Sequence, residues 1–282
     1  MRITRVALYS STLSEAINFS LSNADPSDQY VVRNIVGLDA EELVPKFYGV
    51  GLKTNPRFYE FGLKAREIVI RVVLNPRFNL DETFSDVRDE LYRAISASRM
   101  GIVTLHFSSG ATTVCKIEGF ITKFEVPYFT ELPEAQLTIR CDDPIFRAIN
   151  PVTFASTELK ATNPVIVPDS LSTAPHGFTM QQTFKATTTQ YLIQDDPTSP
   201  EWTFKVVPAS NFLSGDVLYF SSENSNRYIY MVRAGVTTYL MDRITPGSLW
   251  PTIFPGSNSF QFVTLPQLNW NSLEYYPAYW GV

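Results

Sequence analysis

The stretch AQLTIRCDDPIF (residues 135–146) alternates apolar Ala135, Leu137, Ile139 and Cys141 with polar Gln136, Thr138 and Arg140, then meets Asp142, Asp143 and Pro144. Alternation with a period of two marks a strand with one buried face, so Cys141 continues that face as a core thiol. Proline cannot donate to a sheet ladder and drives the residue before it out of helical geometry. The thiol and paired carboxylates, which resemble a metal or general-base cluster, therefore read as the place where a strand turns. A second Asp-Asp-Pro at 195–197 follows the strand-like TQYLIQ and reads the same way.

Working outward, QYVVRNIVGL (29–38), REIVIRVVL (66–74), GIVTLHFSS (101–109) and TTVCKIEGFITKFEV (112–126) are β-branched and aromatic runs of strand length. One helix interrupts them. In DETFSDVRDELYRAISASRMG, Phe84, Val87, Leu91, Ala94 and Ile95 recur at helical spacing, which predicts a helix near 83–98. Thr83 and Asp86 are spaced as a capping box, and Gly101 ends the run. Such a helix covers one open face of a sheet or barrel.

After residue 177 the helical period is gone. FTMQQTFKA, TQYLIQ, EWTFKVV, DVLYFSS, RYIYMVR, VTTYLMD and SFQFVT are short strand-like runs punctuated by Asp-Pro, Ser-Gly, Ala-Gly and Pro-Gly, the pattern of an all-β sandwich. Of the 51 charged residues, 36 lie in the first 150, and four prolines fall within 149–177. The expected organisation is a β domain over 1–150, a linker with one short strand over 151–176 and a β-sandwich over 177–282. No repeat of fixed period is present.

Composition narrows the function. A net charge of −5 argues against a surface that neutralises a phosphate backbone. Two cysteines, Cys115 and Cys141, are too few for a disulfide framework and lack the paired spacing of a zinc site; whether they lie close together is open. The longest apolar runs fall far short of the ~20 residues of a spanning helix. The first twenty residues show no secretion signal, so synthesis in the cytoplasm is expected. GVGLKT (49–54) is a poor phosphate loop because Leu52 separates glycine from lysine. Of the two histidines, His106 sits in a strand-like run as a core or barrel-face residue, and His176 precedes Gly177 in a loop.

Glu118, Glu125, Glu201 and Asp216 are candidates for a glycosidase pair, which requires two carboxyls about 5 to 9 Å apart; exposed strand-face carboxylates are the plainer reading. The aromatics Trp202, Tyr219, Tyr228, Tyr230, Trp250, Trp270, Tyr275, Tyr276, Tyr279 and Trp280 are candidates for stacking on sugar, or for core and interface. The terminal YYPAYWGV is expected to be pinned against its own sandwich or a neighbouring subunit.

Two stretches together resemble a known family. KIEGFITKFEVPYFTELPEAQLTIRCDDPIF (116–146) is similar to the strand, glycine turn, strand and closing Cys-x-Asp-Pro-x-Phe element that ends the N-terminal domain of siphophage distal tail proteins. VVRNIVGLDAEELVPKFYGVG and REIVIRVVLNPRFN resemble the strands before it. DRITPGSLWPTIFPGSNSFQF (242–262) resembles the element that closes the family's C-terminal galectin-like sandwich. The resemblance implies a mainly β fold: an N-terminal split β-barrel, tail-tube-like, with one α-helix, plus a C-terminal galectin-like β-sandwich. It also implies a homo-hexameric ring in the virion at the tail tip, assembled in the host cytoplasm, joining tail tube protein to baseplate hub and tail-associated proteins and carrying receptor-binding adhesins. Genome DNA would pass along the axis without specific binding, which an acidic, charge-poor chain suits. The resemblance implies no catalytic residue, cofactor or metal. The alternatives are a carbohydrate-binding adsorption module and a tail-associated glycan hydrolase.

Overall fold

β-branched and aromatic runs, cut by glycine, proline and Asx turns, fold here almost entirely as strands. The computed structural model describes residues 3–21, 28–40, 43–48, 57–76, 81–126, 133–155, 165–195, 202–224, 226–263 and 268–282. They fall into two units: Met1–Ile149 together with Tyr279–Val282, and Asn150–Ala278.

The first unit contains β1 (Arg5–Ser10), β2 (Ile17–Ser20), β3 (Tyr30–Val36), β4 (Leu43–Tyr48), β5 (Arg57–Leu63), β6 (Arg66–Leu74), α1 (Phe84–Ser98), β7 (Val103–Ser109), β8 (Thr112–Glu125), β9 (Glu134–Cys141) and β10 (Phe146–Ala148). Seven strands run β8-β7-β1-β2-β3-β6-β9, and β9 returns onto β8 to close a barrel; β4 and β5 form a separate hairpin. Every seam of the barrel is antiparallel except β2–β3, which is parallel and held at the single pair Ser20–Val31. Period-two burial is clear in β6, where Ile68, Ile70, Val72 and Leu74 face the core between the outward Glu67, Val69, Arg71 and Val73.

Closure depends on β8. Its first half pairs with β7 as far as Gly119, and its second half pairs with β9 from Phe120 onward. Gly119, expected from the family pattern to make a turn, sits instead inside this long strand. A β-carbon there would stand 2.6 Å from the Arg140 carbonyl oxygen and 2.9 Å from Cys141 Sγ, so only glycine lets β9 approach. Cys115 and Cys141 are free, buried thiols, both pushed up to about 12 by burial.

α1 begins with a reciprocal cap: Thr83 N–H donates to Asp86 Oδ2 at 2.9 Å, and Asp86 N–H to Thr83 Oγ1 at 3.3 Å. Val87, Leu91 and Ile95 enter the barrel core. Phe84, expected on that face, is exposed at the first position of the helix.

The second unit contains β11 (Val152–Ala155), β12 (Val165–Asp169), β13 (Thr179–Phe184), β14 (Tyr191–Gln194), β15 (Thr203–Val206), β16 (Val217–Ser221), β17 (Tyr228–Arg233), β18 (Val236–Tyr239), β19 (Gly256–Phe262) and β20 (Leu268–Tyr275). A six-stranded sheet, β11-β20-β13-β16-β17-β18, and a four-stranded sheet, β12-β19-β14-β15, share one core. Phe178, Phe220 and Met180 meet Phe204, Phe260 and Ile193 across it, with Phe178–Phe260 and Phe204–Phe220 ring centroids 5.3 and 5.2 Å apart. This is a β-sandwich. β11 and β12 arise from the stretch expected as a linker, one at the margin of each sheet.

The terminal YYPAYWGV corrects an expectation. Tyr275 ends β20 in the sandwich core, but β21 (Ala278–Tyr279) lies beside β10, and Tyr279 and Val282 pack on the barrel core. The tail thus belongs to the first unit. The cause is Arg66, wholly buried at the start of β6. Its Nε donates to the Pro144 carbonyl at 2.8 Å, Nη1 to those of Gly37 and Asp39 at 2.6 Å each, and Nη2 to that of Trp280 at 2.7 Å. Its guanidinium carbon lies 4.6 Å from the centre of the Phe146 ring. Val282 N–H closes the joint on the Leu38 carbonyl at 3.0 Å.

Candidate functional site

Glu118 and Glu125 are exposed on β8, paired with Lys116 at 3.9 Å and Lys123 at 2.8 Å. Seven residues of strand separate them by roughly 20 Å, too far for a glycosidase pair. Glu201 lies outside the described residues, as does GVGLKT (49–54).

Asp216 is buried and fully engaged. Arg233 grips it with Nε to Oδ1 at 2.8 Å and Nη2 to Oδ2 at 2.6 Å, and Leu213 N–H donates to Oδ2 at 2.7 Å. Burial alone would push this carboxyl up, but the bonds from Arg233 and the Leu213 N–H outweigh it and hold it below the ordinary carboxylate range. The group ties the start of β16 to the end of β17.

His176, expected in a loop, is buried. Its Nε2 lies 3.0 Å from Asp169 Oδ2, its Nδ1 2.9 Å from the Gly177 carbonyl, and its ring stacks on Tyr275 with centroids 4.9 Å apart. Tyr275 OH donates to the Pro168 carbonyl at 2.9 Å. Gly177 is enforced by packing, since a β-carbon would meet the Ser222 and Glu223 backbone at 2.4 Å. For Asp169, burial acts upward, but bonds from Ser172 and His176 prevail and lower it. The cluster pins β12 to the chain entering β13. His106 stands between buried Leu105 and Phe107 on the barrel surface, its ring 4.3 Å from that of Tyr9. Burial, then Lys116, lowers its pKa. Among the described residues no group of three His, Cys, Asp or Glu side chains is placed to hold a metal ion, and no helix is long and apolar enough to cross a membrane.

A pH dependence follows. Because Asp169 and Asp216 are both held below their unfolded value of about 3.9, the stability they confer is complete above that value and is lost as pH falls through their lowered folded values. Urea denaturation followed from about pH 5 to pH 2 is expected to show stability falling, with a shallower fall in Asp216→Asn. An unchanged acid limb in that variant would count against the Arg233 pair as its source.

The tryptophans divide. Trp270 is 6% exposed and packs edge-on against Phe262 at 4.6 Å, which removes it as a sugar platform. Trp202 and Trp250 lean on the same core, with Phe260 and Phe204 centroids 6.0 and 4.8 Å away. Arg227 sits 5.6 Å from the Trp250 ring. The outward face of the larger sheet carries instead a row of tyrosines. Tyr219 stacks on Tyr230 at 4.8 Å, and Tyr230 meets Tyr228 at 5.5 Å and Tyr239 at 5.9 Å.

The row ends at β18, whose four residues are all exposed. Tyr219, Tyr228 and Tyr230 stand out singly in the sequence and Tyr239 does not; their alignment is created by cross-strand register alone. One signal was available: Ala234-Gly235, with φ of 49° and 81°, makes the two-residue hairpin turn that sets the register of β17 and β18.

What this surface offers is sheet margins, aromatic rows and buried structural ion pairs, joined in a two-part fold of closed barrel and sandwich. No protein-family profile and no curated protein sequence matches the chain. Solved structures do. The crystal structure of the SPP1 Dit protein, described as a paradigm of the hub adsorption apparatus in Gram-positive-infecting phages, aligns over 99% of both chains with a TM-score of 0.61 and 14% identity. The fold is therefore that of a Dit hub protein, over both units. A phage p2 baseplate structure aligns over 96% of this chain and 97% of its own at a TM-score of 0.42 and 7% identity. A β-fructofuranosidase from Schwanniomyces occidentalis aligns over 93% and 62% at a TM-score of 0.25 and 10% identity, too slight a likeness to bear on activity.

Proposed function

We propose that this protein is a structural hub of a siphophage tail tip. Six copies form a ring through their barrel units, joining the tail tube to the baseplate around an axial channel, and the sandwich units serve as a platform for tail-associated and receptor-binding proteins. The carrying observation is the likeness to SPP1 Dit, which runs through both units and covers both chains almost end to end. The chemistry agrees with this reading. The described carboxylates considered for catalysis, Glu118, Glu125 and Asp216, are committed to lysines or an arginine, and a chain of net charge −5 has little hold on DNA. Electron microscopy of virions labelled with antibody to this chain tests the proposal. The expected image is a six-fold annulus between tube and tip. A chain absent from virions, or present at the tip with a copy number that is no multiple of six, would overturn it.

A further inference from the structure

Proteins keep a sheet margin from pairing with charge, proline, a bulge or a covering segment. The sandwich uses such guards at the smaller sheet. Residues 243–249 overlie β15, with Thr245 and Leu249 N–H groups bonding to the Lys205 and Thr203 carbonyls at 2.9 Å, and β12 carries Pro168. Among the described residues the margin of β18 has none of these: it reads Val236-Thr237-Thr238-Tyr239, regular in register and exposed throughout.

The hairpin fixes which backbone groups point outward. In a two-residue loop the flanking residues, here Arg233 and Val236, form a hydrogen-bonded pair, and such pairs alternate along the ladder. Met231–Thr238 and Ile229–Leu240 are therefore also bonded pairs, and the Leu240 N–H does donate to the Ile229 carbonyl at 3.0 Å. The N–H and C=O groups of Thr237 and Tyr239 consequently aim away from the sheet. Such a row is complementary to another extended backbone.

We propose that this margin pairs with β18 of a second copy of the chain, antiparallel across a two-fold axis at Thr238. In that register Thr237 faces Tyr239 of the second copy on both sides of the axis, so outward groups meet outward groups in four hydrogen bonds. Thr238 faces its own counterpart in the closer, non-bonded pair. The side chains fit the same arrangement. No like charges meet, Val236, 66% exposed, is carried over the Leu240 side of the other copy, and Tyr239, 71% exposed, extends the tyrosine row across the axis. A two-fold contact uses one patch twice, whereas ring closure is head-to-tail. The pairing would thus link free protomers or one ring to another, and it does not depend on the ring reading. Four backbone hydrogen bonds hold single protomers weakly, and the pairing strengthens when several copies are presented together.

Oxidation of a Thr238→Cys variant of the full chain tests this. Non-bonded partners bring their Cα atoms to about 4.5 Å, inside the span of a disulfide. The native thiols are buried and do not compete. The expected result is a disulfide dimer forming about tenfold faster than in Thr237→Cys, whose counterpart is offset along the strand. In the unmodified protein, amide exchange at Thr237 and Tyr239 should slow as protein concentration rises, while Thr238 stays slow throughout. Equal cross-linking of the two variants, exchange independent of concentration, or protection appearing only when other tail proteins are added would overturn the proposal.

Discussion

Arg66→Met is expected to destabilise the protein by about 4 kcal/mol and to lower the melting midpoint by about 10 °C. Among the described residues Arg66 is the largest fully buried side chain, and its guanidinium serves carbonyls from three separated segments: the bend after β3, the turn before β10 and the stretch at Trp280. Hydrogen bonds from a charged donor contribute about 1.5–3 kcal/mol each, and a buried carbonyl deprived of its donor bears the desolvation cost alone. Methionine fills much of the volume but donates nothing. Arg66→Lys is expected to recover less than half of the loss, because an ammonium is a single point and these acceptors diverge around a planar fork. Urea denaturation with tryptophan fluorescence reads both variants. A loss below about 1 kcal/mol in Arg66→Met would show that water replaces the guanidinium and that Arg66 is not the joint.

Arg66 also marks where sequence reading stops. REIVIRVVL reads as a strand and is β6, and the alternation of AQLTIRCD places β9 with Cys141 inside. Strands, the helix and its cap are local: each depends on residues within a few positions, so period and punctuation reveal them. Arg66, by contrast, gives no sign in its own neighbourhood that Trp280, 214 positions away, completes its shell. The same limit hid the Asp169–His176 pair, where a loop-like Ala-Pro-His-Gly context concealed full burial, and the Asp216–Arg233 fork, which unites two strands across a hairpin. At Gly119 the strand-length run 112–126 and the glycine turn of the family pattern disagree, and the strand is what forms. Glycine in sequence signals a turn, whereas here it admits the Arg140 backbone, a contact that exists only once the barrel closes. The surface proposed for pairing was half legible: VTTY shows no guard residue, but which of its backbone groups face outward is settled by the hairpin phase.

Deleting residues 279–282 is expected to cost about 3 kcal/mol, although these residues follow the whole sandwich in sequence. The deletion removes Tyr279 and Val282 from the barrel core, the Val282 N–H bond to Leu38, and the Trp280 carbonyl that Arg66 uses. It also exposes a pocket made for backbone, since Gly281 lies so close that a β-carbon would stand 2.7 Å from the Leu38 carbonyl oxygen. The barrel unit therefore lacks β21 until residues 278–279, which follow the sandwich in sequence, are made. Combining the deletion with Arg66→Met separates the joint from simple packing. One hydrogen bond is common to both changes, so the double variant should be more stable than the sum of the single losses implies, by about 1 kcal/mol. Strict additivity in urea denaturation would mean that the tail is held by its apolar contacts alone and that the Arg66–Trp280 bond contributes nothing.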